Sequence, residues 1–342
     1  MKILITGGCG FVGSNLAIYL KKKIKNAQIS SLDNLIRKGS RLNRIRLKDH
    51  KIKNYNFNIE KFDKFKKLPK FNLIIDCCAE PAIEASKRET NRVFNTNLIG
   101  TFNVLKKCLK EKTNIIFLSS SRVYSINKLR GIIKSLKILK PLKIKKKIDE
   151  KFNVESASSL YGFTKLASEK LIKELFFETR LKYIINRFGV IAGPWQFGKQ
   201  DQGFVSLWIA KHLLRKKLSY IGFGGYGNQV RDVLHIDDVC NIVHLQIQKL
   251  NKINNETFNI GGGPGNSISL KNLTKKCEIL TNNKINIKKT PYTSIFDIPY
   301  FVTDNKKILK YYKWSPSKNI NDILSDIYFW LKDNKKIGNY FK

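Results

Sequence analysis

Acidic residues are scarce in this chain: 26 Asp and Glu stand against 65 Lys and Arg in 342 residues, a formal charge of +39. A surface of that sign attracts phosphates without reading sequence, which taken alone points to a nucleic-acid partner. The lysines, however, are scattered over the whole length among Asn and Ile rather than gathered on one face, the mark of a skewed composition, so no nucleic-acid partner is expected. Long apolar runs are also missing. No stretch reaches the roughly eighteen apolar residues of a membrane span, so no membrane partner is expected. The six cysteines (Cys9, Cys77, Cys78, Cys108, Cys240, Cys277) lack the paired spacing of a disulfide framework or a metal site. They fall mostly in apolar segments, which points to a reduced, cytoplasmic setting with no metal. Internal repeats are absent, and the glycine-rich stretch that opens the chain leaves no room for a signal peptide.

That opening stretch, residues 6–14, is the most informative one present. Apolar residues Ile3, Leu4 and Ile5 precede it and an amphipathic segment follows, so strand, glycine turn and helix start are written in order. Gly7 permits the tight turn, Gly10 lets a pyrophosphate approach the backbone, and Gly13 lets the helix pack on the strand, with Phe11 and Val12 in the first helical turn. A second apolar run at 29–32 ends in Asp33, followed by Asn34, at about the spacing where a carboxylate accepts from the adenosine ribose hydroxyls. Asp33 would repel a 2′-phosphate, which favours NAD over NADP as cofactor. Arg37 and Lys38, just beyond, would soften that preference.

Apolar runs at 3–5, 29–32, 73–77, 115–118 and 183–186 alternate with amphipathic segments, among them helices predicted at 96–110 and 158–179. This is an α/β pattern and predicts a Rossmann-type doubly wound parallel sheet with a smaller C-terminal lobe that binds substrate. The expected division is a dinucleotide-binding domain at 1–187, with 228–260 returning to it, and a substrate lobe at 188–227 and 261–342.

Tyr161 and Lys165 lie four apart in the predicted helix and therefore share a face. A phenol acting as a base near neutrality needs about 4 kcal/mol of differential stabilisation of the phenolate, which a neighbouring ammonium and a nicotinamide cation supply. A plain surface pair is the alternative for these two residues considered alone. The strand at 115–118 ends in Ser119, Ser120 and Ser121, at the sheet edge where ligands bind in such folds. One of these hydroxyls is the expected third member, with a turn role as the alternative.

With these residues in place the chain resembles the extended short-chain dehydrogenase/reductase superfamily and, within it, the nucleotide-sugar epimerases. Ser120 matches the family's hydroxyl three residues before Val123-Tyr124, with Ser121 as the alternative. Asn97 matches the asparagine of an Asn-x-x-Gly-Thr element that begins a helix beside the active site, and Arg231 matches the arginine that grips the substrate diphosphate, a task suited to a forked guanidinium. A salt bridge to Asp232 is the alternative for Arg231. The stretches around Ser121 and Arg122, Asn186 to Gly193, Gln196 with Asp201 and Gln202, Ile221 and Gly222, and 297–316 resemble CDP-paratose 2-epimerases, a group that implies carbohydrate biosynthesis of the lipopolysaccharide O-antigen kind. The resemblance also implies Asn58 and Ala79 at the cofactor, and pairing into a homodimer or homotetramer through the two long helices.

Two positions depart from that pattern. The family's usual second diphosphate arginine is Ser294 here, and its adenine-binding aspartate is Asn58; Lys288 and Lys289 are candidate substitutes for the missing charge. The dense basic block at 134–147 reads as a solvated insertion or as an electrostatic lure for an anionic sugar nucleotide. The implied reaction removes a hydride from one sugar carbon and a proton from the hydroxyl on it, leaving a ketone, and returns the hydride to the opposite face, at carbon 2 of the deoxyhexose in a paratose epimerase. A 4-epimerase of another sugar nucleotide is the related alternative. A 4,6-dehydratase would need a carboxylate pair after the active hydroxyl, where this chain has Ser121 and Arg122. An RNA-binding member of the superfamily is the non-enzymatic alternative.

Overall fold

The computed structural model describes residues 1–81, 89–136, 146–156, 158–199 and 202–341. Most of the basic block, 137–145, and Asp201 lie outside the described residues. In chain order the strands are β1 (Lys2–Thr6), β2 (Gln28–Leu32), β3 (Lys53–Tyr55), β4 (Leu73–Asp76), β5 (Asn114–Ser120), β6 (Tyr183–Phe188), β7 (Val190–Ala192), β8 (Leu218–Ile221), β9 (Val230–His235), β10 (Glu256–Ile260), β11 (Ser267–Ser269), β12 (Ile287–Thr290) and β13 (Tyr300–Phe301). The chain contacts form two units: Met1–Val123, Ser159–Arg187 and Val239–Phe258 make the first, and Tyr124–Ser158, Phe188–Asp238 and Asn259–Lys342 the second.

The first unit is built on a seven-stranded sheet in the order β10-β6-β5-β4-β1-β2-β3. Strands β1 to β5 pair in parallel, as continuous apolar runs buried on both faces require. The order reverses between β1 and β4, so their carboxyl ends frame the crevice where ligands of such sheets bind. The core joins Leu4, Ile74, Ile115, Phe117 and Ile185 of the strands to Val104, Leu105, Ile172 and Phe176 of the covering helices. Each such side chain contributes about 1.5–3 kcal/mol on full burial. All five strands read from the sequence are present, and the fold is the expected doubly wound α/β sheet.

Strand β9 overturns one expectation, that the sheet resumes from 228 onward. Its edges are taken by short strands of the second unit: β7 and β13 run parallel to it and β11 antiparallel. Only β10, carrying buried Phe258 and Ile260, returns to the seven-stranded sheet. A separate parallel pair, β8 with β12, completes the sheets of the second unit. The helix predicted at 96–110 also differs. It starts earlier, as Thr90–Phe94, passes through a π turn at Asn95–Ile99 and continues as Gly100–Glu111. No described helix is long and apolar enough to cross a membrane.

Candidate active site

The glycine turn is sterically constrained. Gly7 adopts φ +62°, and a Cβ there would lie 2.9 Å from the carbonyl oxygen of Cys77, so both the backbone angle and the neighbouring strand end demand glycine. A Cβ on Gly13 would run into the Gly7 carbonyl, which is how closely the Phe11–Lys23 helix sits on the turn. That helix has neither a side-chain cap nor an acidic residue in its first turn, so the amide end around Phe11 and Val12 presents its positive dipole to an anion. Gly8, which the spacing argument passes over, is equally constrained by the Ser31 side chain of β2.

Asp33 stands at the end of β2 with its carboxylate beside this turn. It accepts from the Cys9 amide at 3.0 Å and the Leu35 amide at 2.8 Å. Burial raises its pKa, while those amides, that of Gly10 and the Arg37 guanidinium work in the opposite direction. Asn34 donates to the side-chain oxygen of Asn58 at 2.7 Å, so these two amides form one ledge beyond Asp33. The residues present fit a dinucleotide: an uncapped helix end for the pyrophosphate, the buried Asp33 carboxylate at the neighbouring strand end, and Ala79 just past β4.

The helix Leu160–Phe176 carries the reactive pair. Ser159 caps it by accepting from the Gly162 amide at 3.2 Å, which fixes where the helix begins and so which face Tyr161 and Lys165 share. Tyr161 is 9% exposed and Lys165 2%. The Lys165 ammonium donates to the Leu118 carbonyl at 2.9 Å and lies 4.4 Å above the Phe117 ring centroid, which puts it at the carboxyl end of β5. Burial pushes the Cys77 and Cys78 thiols up, Asp76 adds to the effect and Lys165 opposes it, so the same ammonium is felt at the end of β4. The helix also packs on the short turn Ser121–Val123. At the head of that turn Ser120 is half-buried, its hydroxyl oxygen accepting from the Arg122 amide at 3.1 Å.

Residues missing from the motif reading hold this arrangement. Glu169, one turn beyond Lys165, is 1% exposed and accepts from Ser119 at 2.5 Å and from the Arg187 guanidinium at 2.7–3.1 Å, tying helix, β5 and β6 together. The signal for it was an acidic residue spaced by four from Lys165 on the same face. Asn97 does not begin a helix as expected. It is fully buried in the π turn, accepts from the Glu80 amide at 2.7 Å and donates to Thr164 of the reactive helix at 3.1 Å. Single π turns recur at functional sites because they re-aim one residue without ending the helix.

In the second unit Arg231 is held by its own strand and by the segment around Asp297. It donates to the Val230 carbonyl at 2.8 Å, the Ile298 carbonyl at 2.6 Å and the Asp297 carboxylate at 3.3 Å. Arg130 reaches the same segment, donating to the carbonyls of Ser294 at 2.7 Å and Asp297 at 3.0 Å. Lys288 and Lys289 are exposed on β12. Gln196 uses its amide internally, donating to the Ile191 carbonyl and accepting from Ser206, and Gln202 turns back on Lys199. Ile221 ends β8, and Gly222 follows it at φ +80°.

Fold and site together define a dinucleotide-dependent enzyme of the α/β class with a Tyr-Lys pair. The model of the NAD dependent epimerase/dehydratase family matches residues 3–261, and the chain belongs to that family, whose cofactor is NAD. It is 29% identical over 340 residues to CDP-paratose 2-epimerase of Salmonella typhi, covering 94% of this chain and 96% of that protein. A dTDP-D-glucose 4,6-dehydratase of Dictyostelium discoideum is 30% identical over 76% of this chain and 58% of its own length. In fold, UDP-glucose 4-epimerase of Thermotoga maritima, solved with UDP-glucose, superposes with a TM-score of 0.82 at 24% identity, covering 98% of this chain and all of that one.

Proposed function

We propose that this chain inverts one carbon of a nucleotide sugar, and that the substrate is a CDP-activated deoxyhexose turned over at carbon 2, CDP-paratose to CDP-tyvelose. The observation that carries the reading is the buried helix face shared by Tyr161 and Lys165 at the end of β5, with Ser120 on the adjoining turn. The near full-length match to the Salmonella enzyme supports the choice of sugar. Bound NAD would supply the hydride acceptor and donor for the sugar carbon, so that the hydride could return to the opposite face.

The chain's own residues do the rest. Tyr161 takes the proton from the hydroxyl on that carbon and later returns it. Lys165, buried on the same helix face as Tyr161, supports the proton transfer with its positive charge and holds the nicotinamide ribose. Ser120 hydrogen-bonds the reacting oxygen, and Arg231 anchors the diphosphate while the keto-sugar turns. Glycines 7, 10 and 13, Asp33, Asn34, Asn58 and Ala79 bind the cofactor, and buried Asn97 positions the reactive helix beside it through Thr164. Ser121, Arg122, Gln196, Gln202, Ile221 and Gly222 line the sugar nucleotide.

The test is to incubate the protein with CDP-paratose, CDP-tyvelose and UDP-glucose and follow sugar stereochemistry by NMR. Interconversion of the two CDP sugars is expected. Turnover of UDP-glucose alone makes it a 4-epimerase instead, and loss of water makes it a dehydratase. Two chains are expected to pair through the helices at 90–111 and 160–176, whose Phe94, Ile99, Phe102 and Phe163 are exposed apolar residues. Sedimentation of a monomer would contradict that pairing.

A further inference from the structure

Arg37 poses a problem for an enzyme that uses NAD. An arginine shortly after the strand-end carboxylate is the device by which related sites accept a 2′-phosphate. Arg37 follows Asp33 by four residues, and its charge is felt at the Asp33 carboxylate. Left available, it would draw the phosphate of NADP toward the ribose that Asp33 serves.

The structure shows what occupies it. Glu80, 5% exposed, lies just past β4 and accepts from the Arg37 guanidinium at 2.6 Å through one oxygen. Its other oxygen takes Arg92 at 3.0 Å. Glu80 is itself fixed through its backbone, its amide donating to Asn97 at 2.7 Å and its carbonyl accepting from Asn97 at 3.3 Å. A buried carboxylate held at both backbone ends moves little, and a guanidinium bound to it can swing toward a ligand only by giving up a charge-assisted hydrogen bond.

We propose that Glu80 is a second determinant of cofactor choice, a positioning residue that holds Arg37 away from the adenosine 2′ position and so reinforces the preference for NAD set by Asp33. The proposal rests on the reading of Asp33 as the ribose-binding carboxylate. Glu80 acts only through Arg37, which separates this role from general stabilisation: Arg92 shares the carboxylate but follows a different strand, so its loss leaves cofactor choice unchanged.

The experiment is calorimetric titration of the full chain with NAD and with NADP. Wild type binds NAD more tightly. Glu80→Gln raises NADP affinity relative to NAD by about tenfold, the worth of one charge-assisted hydrogen bond. The gain disappears in Glu80→Gln with Arg37→Ala and survives in Glu80→Gln with Arg92→Ala. An unchanged ratio in Glu80→Gln, or a gain that persists without Arg37, overturns the proposal. Arg37→Ala in the wild-type background serves should the Glu80 variants fail to fold: the ratio is expected to stay within about twofold, whereas a tenfold fall in NADP binding shows Arg37 already engaged and overturns the proposal. A wild-type chain that prefers NADP leaves Asp33 in the wrong role and overturns the underlying reading as well.

Discussion

Two motif-rich stretches, one in each unit, use their polar residues differently. Along 159–169 of the first unit, the holding is done by Ser159, Thr164, Ser168 and Glu169, which cap the helix or bind Asn97, Ser119 and Arg187. Tyr161 is left on the same buried face as Lys165, its phenol hydroxyl without a hydrogen-bond partner among the described residues. Along 231–238 of the second unit nearly every polar residue is itself scaffold. Asp232 accepts from the Gly263 amide at 2.9 Å, and Asp238 accepts from the Ser317 amide at 3.0 Å and hydroxyl at 2.6 Å. His235 lies between Asp237 and Asp326 at 3.4–3.5 Å. A motif in sequence therefore marks either chemistry or the frame around it, and the partner list of each residue separates the two.

The largest effect expected of this contrast is at Tyr161. Tyr161→Phe should lower turnover at least about 100-fold, the usual worth of a positioned acid/base, with the melting temperature held. Full turnover in the variant would remove Tyr161 from the chemical side. Next comes Glu169→Ala, which leaves Arg187 charged and buried and should cost about 3–5 kcal/mol in denaturant unfolding. A change in turnover with no loss of stability would reverse its assignment. Asp238→Ala should cost about 1–3 kcal/mol, the price of its unpaired donors, with KM for the sugar nucleotide unchanged. A raised KM without that loss would move Asp238 from frame to site.

The smallest expected effect concerns His212, whose fully buried ring lies 2.7 Å from the Trp208 carbonyl. Burial holds its pKa below the ordinary value, so the ring is neutral in the fold. A depressed value means that its contribution is present above the unfolded pKa of about 6.5 and is lost as pH falls through the lower folded one. Replacing it by Phe removes that loss. The stability deficit of His212→Phe against wild type, read by thermal melts, should therefore narrow as pH drops below about 6.5. A deficit that does not change with pH would mean that the ring does not titrate between the two states.

Much of the first unit was legible because its strands are apolar runs and its glycines have a fixed spacing. Strand β3 was not, since Lys53, Asn54 and Tyr55 form a short polar edge with no hydrophobic signal. Nor was the allegiance of β9, because a run such as 230–235 reads equally well as a strand of either sheet until its neighbours are known. The Tyr-Lys pair followed from helical periodicity. Glu80 did not, and the four-residue spacing of Glu169 from Lys165 gave its face but not its role, because the two carboxylates depend on Arg37 and Arg187, 43 and 18 residues away in the chain. Asp297 as the partner of Arg231, 66 residues off, was hidden for the same reason.

The central claim is that Tyr161 and Lys165 serve a redox inversion in which the hydrogen of the reacting carbon leaves and returns to that carbon. A CDP-sugar deuterated at carbon 2, incubated in ordinary water, tests it directly. The account predicts that the epimer retains the deuterium at carbon 2 as followed by NMR. Washout of the label into solvent during inversion would show proton abstraction from carbon instead and contradict it.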